Sequence, residues 1–139
     1  MDAGPLVALG DERDPRRRET KDLLAREREA LVLSPVIAAE VDYHLQTLVG
    51  KHGNRWFIED LAAGRFEVPQ LQTVDFVEIE KLNRRYRDLS PGIADLSVVV
   101  LAARYRTTRL LTFDQRHFRL MKPLYGEFFT LLPFDEDLS

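Results

Sequence analysis

The chain has no cysteine among its 139 residues, which excludes a disulfide framework, a thiolate metal site and a cysteine nucleophile. It also has no apolar run long enough to cross a membrane. Its first residues, Met1 and Asp2, begin without the basic and apolar regions of a signal peptide. These absences predict a cytoplasmic protein that does not use a membrane as a partner.

Lysine is scarce, with four residues against 16 arginines, and the formal net charge is -3. This charge argues against a histone-like or tail-type nucleic-acid binder. The arginine fork matches phosphate oxygens, so its dominance favours phosphate-bearing partners, although a genomic preference for arginine codons is the simpler explanation. With 45% hydrophobic and 31% charged residues, the chain is expected to form a single globular domain over residues 1–139.

Helix and strand patterns alternate along the chain. This order predicts an α/β protein: a three-layer α/β/α domain with a mainly parallel central sheet of four to five strands. A short apolar turn is expected over 6–9. The predicted helices cover residues 14–30, 34–50, 54–63, 73–86 and 93–103. The predicted strands cover residues 31–33, 66–71, 109–113 and 128–132. The helix after Thr73 is amphipathic, with Val74, Val77, Leu82 and Tyr86 as its apolar members.

One carboxylate stands in strongly apolar surroundings. Between Ile93 and Ala103, only Ser97 and Asp95 are polar, so the helix there is predicted to be buried. An ionised carboxylate among apolar groups costs several kcal/mol or more unless another group compensates it. Asp95 could cap its own helix, but Gly92 suggests that the helix is already under way by residue 95.

Asp95 and two further acids occur where a parallel sheet would form a site, just after the carboxyl ends of strands or early in the following helices, and a fourth acid is singled out by its apolar neighbours. Asp114 ends the apolar segment 109–113, and Asp2 comes just before the Pro5 turn. Glu40 has mostly apolar helical neighbours, although Asp42 is equally plausible by periodicity. Taken singly, Asp114 could simply start a turn and Glu40 could be a solvated helix residue.

Together these acids predict a cation site. Several carboxylates in one crevice repel one another and must take up protons unless a cation is present. Mg²⁺ accepts oxygen ligands and often needs only one or two carboxylates. The three histidines show no metal-ligand spacing and are expected to be surface or packing residues: His44, His52 and His117.

The sequence resembles a known family in five segments that occur in the expected order over the whole chain: DAGPLVAL, SPVIAAEVDY, GIADLSVVVLA, RLLTFDQRHF and LYGEFFTLLP. They are similar to the PIN-domain ribonucleases, and specifically to the VapC toxins of bacterial type II toxin-antitoxin pairs. In one respect the chain departs from that family, since only Met1 precedes Asp2, which is too short for the usual first strand.

The resemblance implies an active site formed by Asp2, Glu40, Asp95 and Asp114, and it favours Glu40 over Asp42. It implies a Mg²⁺- or Mn²⁺-dependent endoribonuclease in which Asp2, Asp95 and Asp114 are metal ligands. It also implies structured RNA such as tRNA or rRNA as the substrate, a homodimer, and a cognate VapB-like antitoxin that places an arginine against the acids. Basic residues for the RNA backbone could be Arg84, Arg85, Arg87, Arg116 and Lys122.

Other functions are also compatible with acids at strand ends. One is a PIN nuclease of RNA processing or DNA repair, and another is a non-catalytic PIN-like module that binds RNA or protein. An aspartate-phosphorylating receiver domain is disfavoured, because Asp2 has no acidic neighbour and Lys122 follows no clear strand.

Overall fold

A computed structural model describes residues 1–136 of the chain. Within this range the chain forms seven helices and four short strands. The helices are α1 (Ala3–Gly10), α2 (Arg17–Arg26), α3 (Pro35–Leu48), α4 (Arg55–Ala62), α5 (Thr73–Arg85), α6 (Ile93–Arg104) and α7 (Gln115–Leu120). The strands are β1 (Leu31–Val32), β2 (Phe66–Glu67), β3 (Arg109–Leu111) and β4 (Thr130–Leu132). No helix within residues 1–136 is both long and apolar enough to span a bilayer.

The chain divides into two compact units, the first of which covers Met1–Pro69. In this unit α1 packs against both α2 and α3, and β1 pairs in parallel with β2. One face of α3 contributes to the core. Its residues Ile37, Val41 and Leu45 recur every four positions and are fully buried. Ser34 caps this helix by accepting a hydrogen bond from Val36 N at 3.2 Å, as the Ser-Pro signal predicts.

The second unit begins at Gln70. Here α5 packs against α6, and β3 pairs in parallel with β4, with Leu110 opposite Leu131. Every residue of α6 from Leu96 to Ala102 is buried, which confirms the predicted buried helix. The one polar residue in that run is Ser97, whose hydroxyl donates a hydrogen bond to Ala94 O at 2.6 Å.

The start of the chain folds differently from the expectation. The predicted apolar turn over 6–9 is instead part of α1, and Asp2 is its N-cap. Pro5 is tolerated because it lies in the first turn, where backbone N–H groups have no partner within the helix. The predicted helix over 14–30 is shorter than expected, since α2 begins at Arg17. Asp14 holds the preceding turn by accepting from Arg16 N at 2.9 Å.

The buried face of α5 is also different. Val74 and Val77 were expected on the apolar face, but they are 62% and 46% exposed, whereas Ile79 and Leu82 are buried. Asp75 takes an inward position because its carboxylate accepts from Gln72 N at 2.8 Å and from the Arg104 guanidinium. These bonds compensate the burial of Asp75 and lower the pKa of its carboxyl group.

The sheet is smaller than predicted over the described residues. Both strand pairs are parallel, as expected, but each has only two strands, so a four- to five-stranded central sheet and a three-layer arrangement are not confirmed. The strand predicted over 66–71 ends at Glu67, and Pro69 close behind has no N–H for a ladder bond. Met1 and Asp2 form no strand, although the Met1 ammonium donates to Val32 O at 3.0 Å, beside β1.

Candidate active site

Asp2 is fixed by the helix that follows it. Its backbone is extended and its Oδ1 accepts a hydrogen bond from Ala3 N at 2.8 Å, so the carboxylate caps α1. The residue is only 9% exposed. A cap in this position orients a buried acid.

Glu40 lies in the second turn of α3, in the same unit as Asp2. Burial, and then the negative charge of Asp2, raise the pKa of the Glu40 carboxyl group. His44 acts in the opposite direction, with its Nε2 3.8 Å from Glu40 Oε1. The first unit therefore brings Asp2 and Glu40 within electrostatic reach of each other.

Asp42, the alternative to Glu40, has different neighbours. Its Oδ2 accepts from the Gln46 amide at 2.8 Å, and its Oδ1 accepts from the Asn54 amide. These bonds tie α3 to the residue that precedes α4 and use both carboxylate oxygens locally. Both oxygens of Asp42 are thus engaged in hydrogen bonds, whereas Glu40 lies within reach of the charge of Asp2.

Asp95 lies in the first turn of α6, whose N-cap is Gly92. The helix begins before residue 95, so Asp95 does not cap its own helix. This agrees with the expectation from Gly92 in the sequence. A carboxylate in the first turn is stabilised by the positive end of the helix dipole. The side chain is partly buried, with 15% of its surface exposed.

Asp114 follows β3 and caps α7, where its Oδ1 accepts from His117 N at 3.1 Å. Its own backbone N–H donates to the Thr112 hydroxyl at 2.9 Å, and Thr112 is fully buried. The Thr112 hydroxyl thus holds the backbone of the acid. Asp114 is therefore held both through its backbone N–H, by Thr112, and through its carboxylate, by His117 N.

His117 is the site residue that sequence reasoning missed. Its Nδ1 lies 2.7 Å from Asp95 Oδ2 and 3.1 Å from Asp114 Oδ2, so one ring nitrogen faces both carboxylates. The expectation of a surface or packing residue is therefore wrong for His117. The available signal was its position three residues after Asp114, which places it in the first turn of a helix capped by that acid.

The structure thus shows two acidic pairs, one in each unit: Asp2 with Glu40, and Asp95 with Asp114. The second pair suits a divalent cation, because ligand atoms of Asp95, Asp114 and His117 all lie within 4.8 Å of one another. Donor atoms bound to one small cation at about 2.1 Å are at most about 4.2 Å apart, close to this spread. Two carboxylates and an imidazole are also ordinary metal donors.

All five basic residues expected to contact RNA are exposed. Arg84 forms an ion pair with Glu80 at 2.9 Å, which is a local pair on α5. The backbone N–H of Lys122 donates to the Tyr86 hydroxyl at 2.9 Å. This bond does not involve the side-chain ammonium group, and the residue is exposed. The remaining three are exposed as well: Arg85, Arg87 and Arg116.

Comparison with known proteins gives one consistent family. Residues 1–122 match the PIN domain family. Ribonuclease VapC26 of Mycobacterium tuberculosis is 35% identical over 133 residues, covering 96% of this chain and 98% of the relative. The fold is similar to the crystal structure of VapC20 of M. tuberculosis, a sarcin-ricin loop cleaving toxin, with a TM-score of 0.78 and 13% identity over 90% of this chain and 97% of that chain. The chain therefore belongs to the PIN-domain family and is an endoribonuclease of the VapC toxin group.

Proposed function

We propose that the protein is the toxin of a type II toxin-antitoxin pair that cleaves structured RNA, tRNA or rRNA, with Mg²⁺ or Mn²⁺ as cofactor. The observation that carries this proposal is the approach of the Asp95 and Asp114 carboxylates to one imidazole nitrogen. Two carboxylates in such proximity repel each other, and a divalent ion, which phosphodiester hydrolysis needs, would relieve this repulsion. The proposed metal ligands are Asp2, Asp95 and Asp114.

Each acid has a distinct role in the proposed mechanism. A divalent ion, when bound, would lower the pKa of its water and neutralise charge on the scissile phosphate. Asp95 and Asp2 would be its principal ligands, and Asp114 would complete the binding site. Glu40 accepts a hydrogen bond from the attacking water and takes up its proton, a role that its raised pKa favours, because a better base accepts a proton more readily.

The substrate must approach these acids with its own negative charge. Exposed arginines such as Arg85, Arg87 and Arg116 are proposed to bind phosphates of the RNA backbone. Binding should therefore weaken as salt concentration rises. The similar solved structure is that of a toxin that cleaves the sarcin-ricin loop, and this supports an rRNA loop as one candidate substrate class.

The similarity to a VapC ribonuclease supports a VapB-like antitoxin as the proposed partner. The family resemblance of the sequence further leads us to propose a homodimer and a cytoplasmic location. An arginine of the antitoxin could pair with the Asp95 and Asp114 carboxylates through charge-assisted hydrogen bonds. Such a contact would occupy the groups that the metal requires and would inhibit cleavage.

The central experiment replaces Asp95 by Asn in the full chain and measures RNA cleavage with and without Mn²⁺ or Mg²⁺. The amide keeps the size of the side chain but removes its charge, so we expect cleavage to fall by at least about 100-fold, since even partners outside the ligand sphere often cost 10- to 100-fold. Circular dichroism should show an unchanged helical content.

The matched control is Asp88→Asn, which removes one exposed carboxylate from the same unit. Its cleavage rate should stay within about twofold of the native rate, because an isolated surface change has little effect. Native-like cleavage by the Asp95→Asn protein would refute the proposed site. Failure of the native protein to bind either ion would instead favour a non-catalytic PIN-like module.

A further inference from the structure

The imidazole of His117 contacts two carboxylates of the second unit. Its Nδ1, the ring nitrogen nearer the backbone, lies 2.7 Å from Asp95 Oδ2 and 3.1 Å from Asp114 Oδ2. The side chain is only 21% exposed, so the ring is held against these two acids. Residue 117 is 22 positions from Asp95 in sequence, and the contact is therefore a product of tertiary folding.

Two features hold the ring in this position. The backbone N–H of His117 donates to Asp114 Oδ1 at 3.1 Å, which fixes the first turn of α7 against the acid. The next residue, Phe118, is almost fully buried and contacts Phe129 edge to face, with the ring centroids 6.1 Å apart. The helix that carries His117 is thus anchored in the core, and the imidazole is pre-positioned rather than loosely attached.

The spacing of the three donor atoms is that of neighbouring ligands on one ion. Two donors at about 2.1 Å from a cation and at right angles are about 3 Å apart. The two distances from Nδ1, 2.7 and 3.1 Å, bracket this value. A neutral imidazole can therefore present a lone pair to a cation that the two carboxylates also bind.

We propose that His117 is a nitrogen ligand of the catalytic ion and that it makes the site prefer Mn²⁺ over Mg²⁺. This inference rests on the proposed function and names the metal that the function uses. Mg²⁺ is a hard cation that favours oxygen donors, whereas imidazole is a common ligand of first-row transition metals. A purely carboxylate site would discriminate less between these two ions.

A competing arrangement has a different consequence. If His117 only donates a hydrogen bond to the carboxylates, an ion would displace it, and the ring would not touch the metal. Replacing the side chain would then change the affinities for Mn²⁺ and Mg²⁺ equally. The two cases differ in metal selectivity and in the atoms bound to the ion, and both can be measured without RNA.

The experiment titrates the full chain with Mn²⁺ and with Mg²⁺ by calorimetry and records pulsed electron paramagnetic resonance of the Mn²⁺-loaded protein. The key variant is His117→Asn, which places an amide near the position of Nδ1. We expect a directly coordinated ¹⁴N signal in the native protein and its loss in the variant. Mn²⁺ affinity should fall by about 10-fold or more, and Mg²⁺ affinity by less than about threefold.

The other two histidines serve as controls. His52 is exposed, and His52→Asn should retain the ¹⁴N signal and both affinities. His44→Asn tests whether the nitrogen comes from the neighbour of Glu40 instead. A circular dichroism spectrum of each variant verifies that the fold is intact, and His117→Gln provides a second replacement if His117→Asn is unstable.

The outcomes separate this inference from the proposed function. Asp95-dependent Mn²⁺ binding without a coordinated nitrogen overturns the role of His117 and leaves the nuclease proposal standing. A nitrogen signal that persists in His117→Asn, or equal losses of Mn²⁺ and Mg²⁺ affinity, also overturns it. The absence of any Asp95-dependent ion binding would overturn both proposals.

Discussion

The two acidic pairs of the protein are built alike but compensated differently. Each pair combines a helix-capping aspartate, Asp2 or Asp114, with an acid inside another helix, Glu40 or Asp95. In the second unit an imidazole nitrogen lies within 3.1 Å of both carboxylates. In the first unit His44 is 3.8 Å from Glu40, and the pKa of Glu40 is raised by burial and by Asp2.

This difference shows two physical responses to the same repulsion. Asp95 lies in the first turn of its helix, where the backbone dipole favours a negative charge, and it also has the His117 contact. Glu40 is one turn deeper in its helix and receives less help from that dipole. The second pair is therefore arranged around a ring nitrogen at a helix start, whereas in the first pair the pKa of the Glu40 carboxyl group is raised.

The largest expected effect comes from removing the charge of Asp114. Asp114→Asn retains an N-cap oxygen, so α7 should persist, but the charge that the metal requires is lost. We expect single-turnover RNA cleavage to fall by at least about 100-fold, with weaker Mn²⁺ binding in calorimetry. Cleavage within threefold of the native rate would show that the second pair does not carry the reaction.

A second test compares the cores of the two units. Leu45 and Leu131 are both fully buried, one in each unit, and replacing either by Ala should reduce the free energy of unfolding by about 2–5 kcal/mol. If residues 1–139 form the single domain that the sequence predicts, urea unfolding of each variant will show one shifted transition in both fluorescence and circular dichroism. Two separated transitions would contradict the single-domain proposal.

The two roles of Asp2 can be separated by two substitutions. Asp2→Asn keeps a capping oxygen and Asp2→Ala does not, so the alanine variant should be less stable than the asparagine variant by about 1 kcal/mol. Both variants should lose RNA cleavage, because both lose the charge. Equal stability of the two in urea unfolding would show that the cap contributes little.

The smallest expected effect concerns the pH dependence of stability. Because the pKa of Glu40 is raised in the folded state above its ordinary 4.5, the folded protein binds this proton more tightly than the unfolded chain does. Glu40 should therefore cost no stability below pH 4.5, and its cost should grow as pH rises through the folded-state pKa.

Glu40→Gln removes this titration. Relative to the native protein, the variant should gain stability as pH rises from about 4 to 7, as measured by urea unfolding at each pH. The matched control is Glu59→Gln, in an exposed residue of the same unit, which should run parallel to the native protein. A Glu40→Gln curve that is also parallel to the native one would remove the argument for a proton-accepting Glu40.

Local patterns predicted much of the fold because the responsible interactions are short-range. Ser34-Pro35 marked the start of α3, and the apolar run after Gly92 marked the buried α6. The same reasoning missed α1, because Pro5 suggested a turn although proline is compatible with a first helical turn. It also misjudged α5, where Asp75 is buried with Arg104 while Val74 remains exposed.

The sequence by itself determined the order of helices and strands, the burial of the helix around Asp95, and the family to which the chain belongs. Only the tertiary structure decided that His117 faces both Asp95 and Asp114, and that Glu40 feels the charge of Asp2. The physical reason is the distance along the chain over which each kind of interaction acts. Helix caps and apolar periodicity act over a few residues, whereas a contact between residues 95 and 117 depends on how the core brings distant segments together.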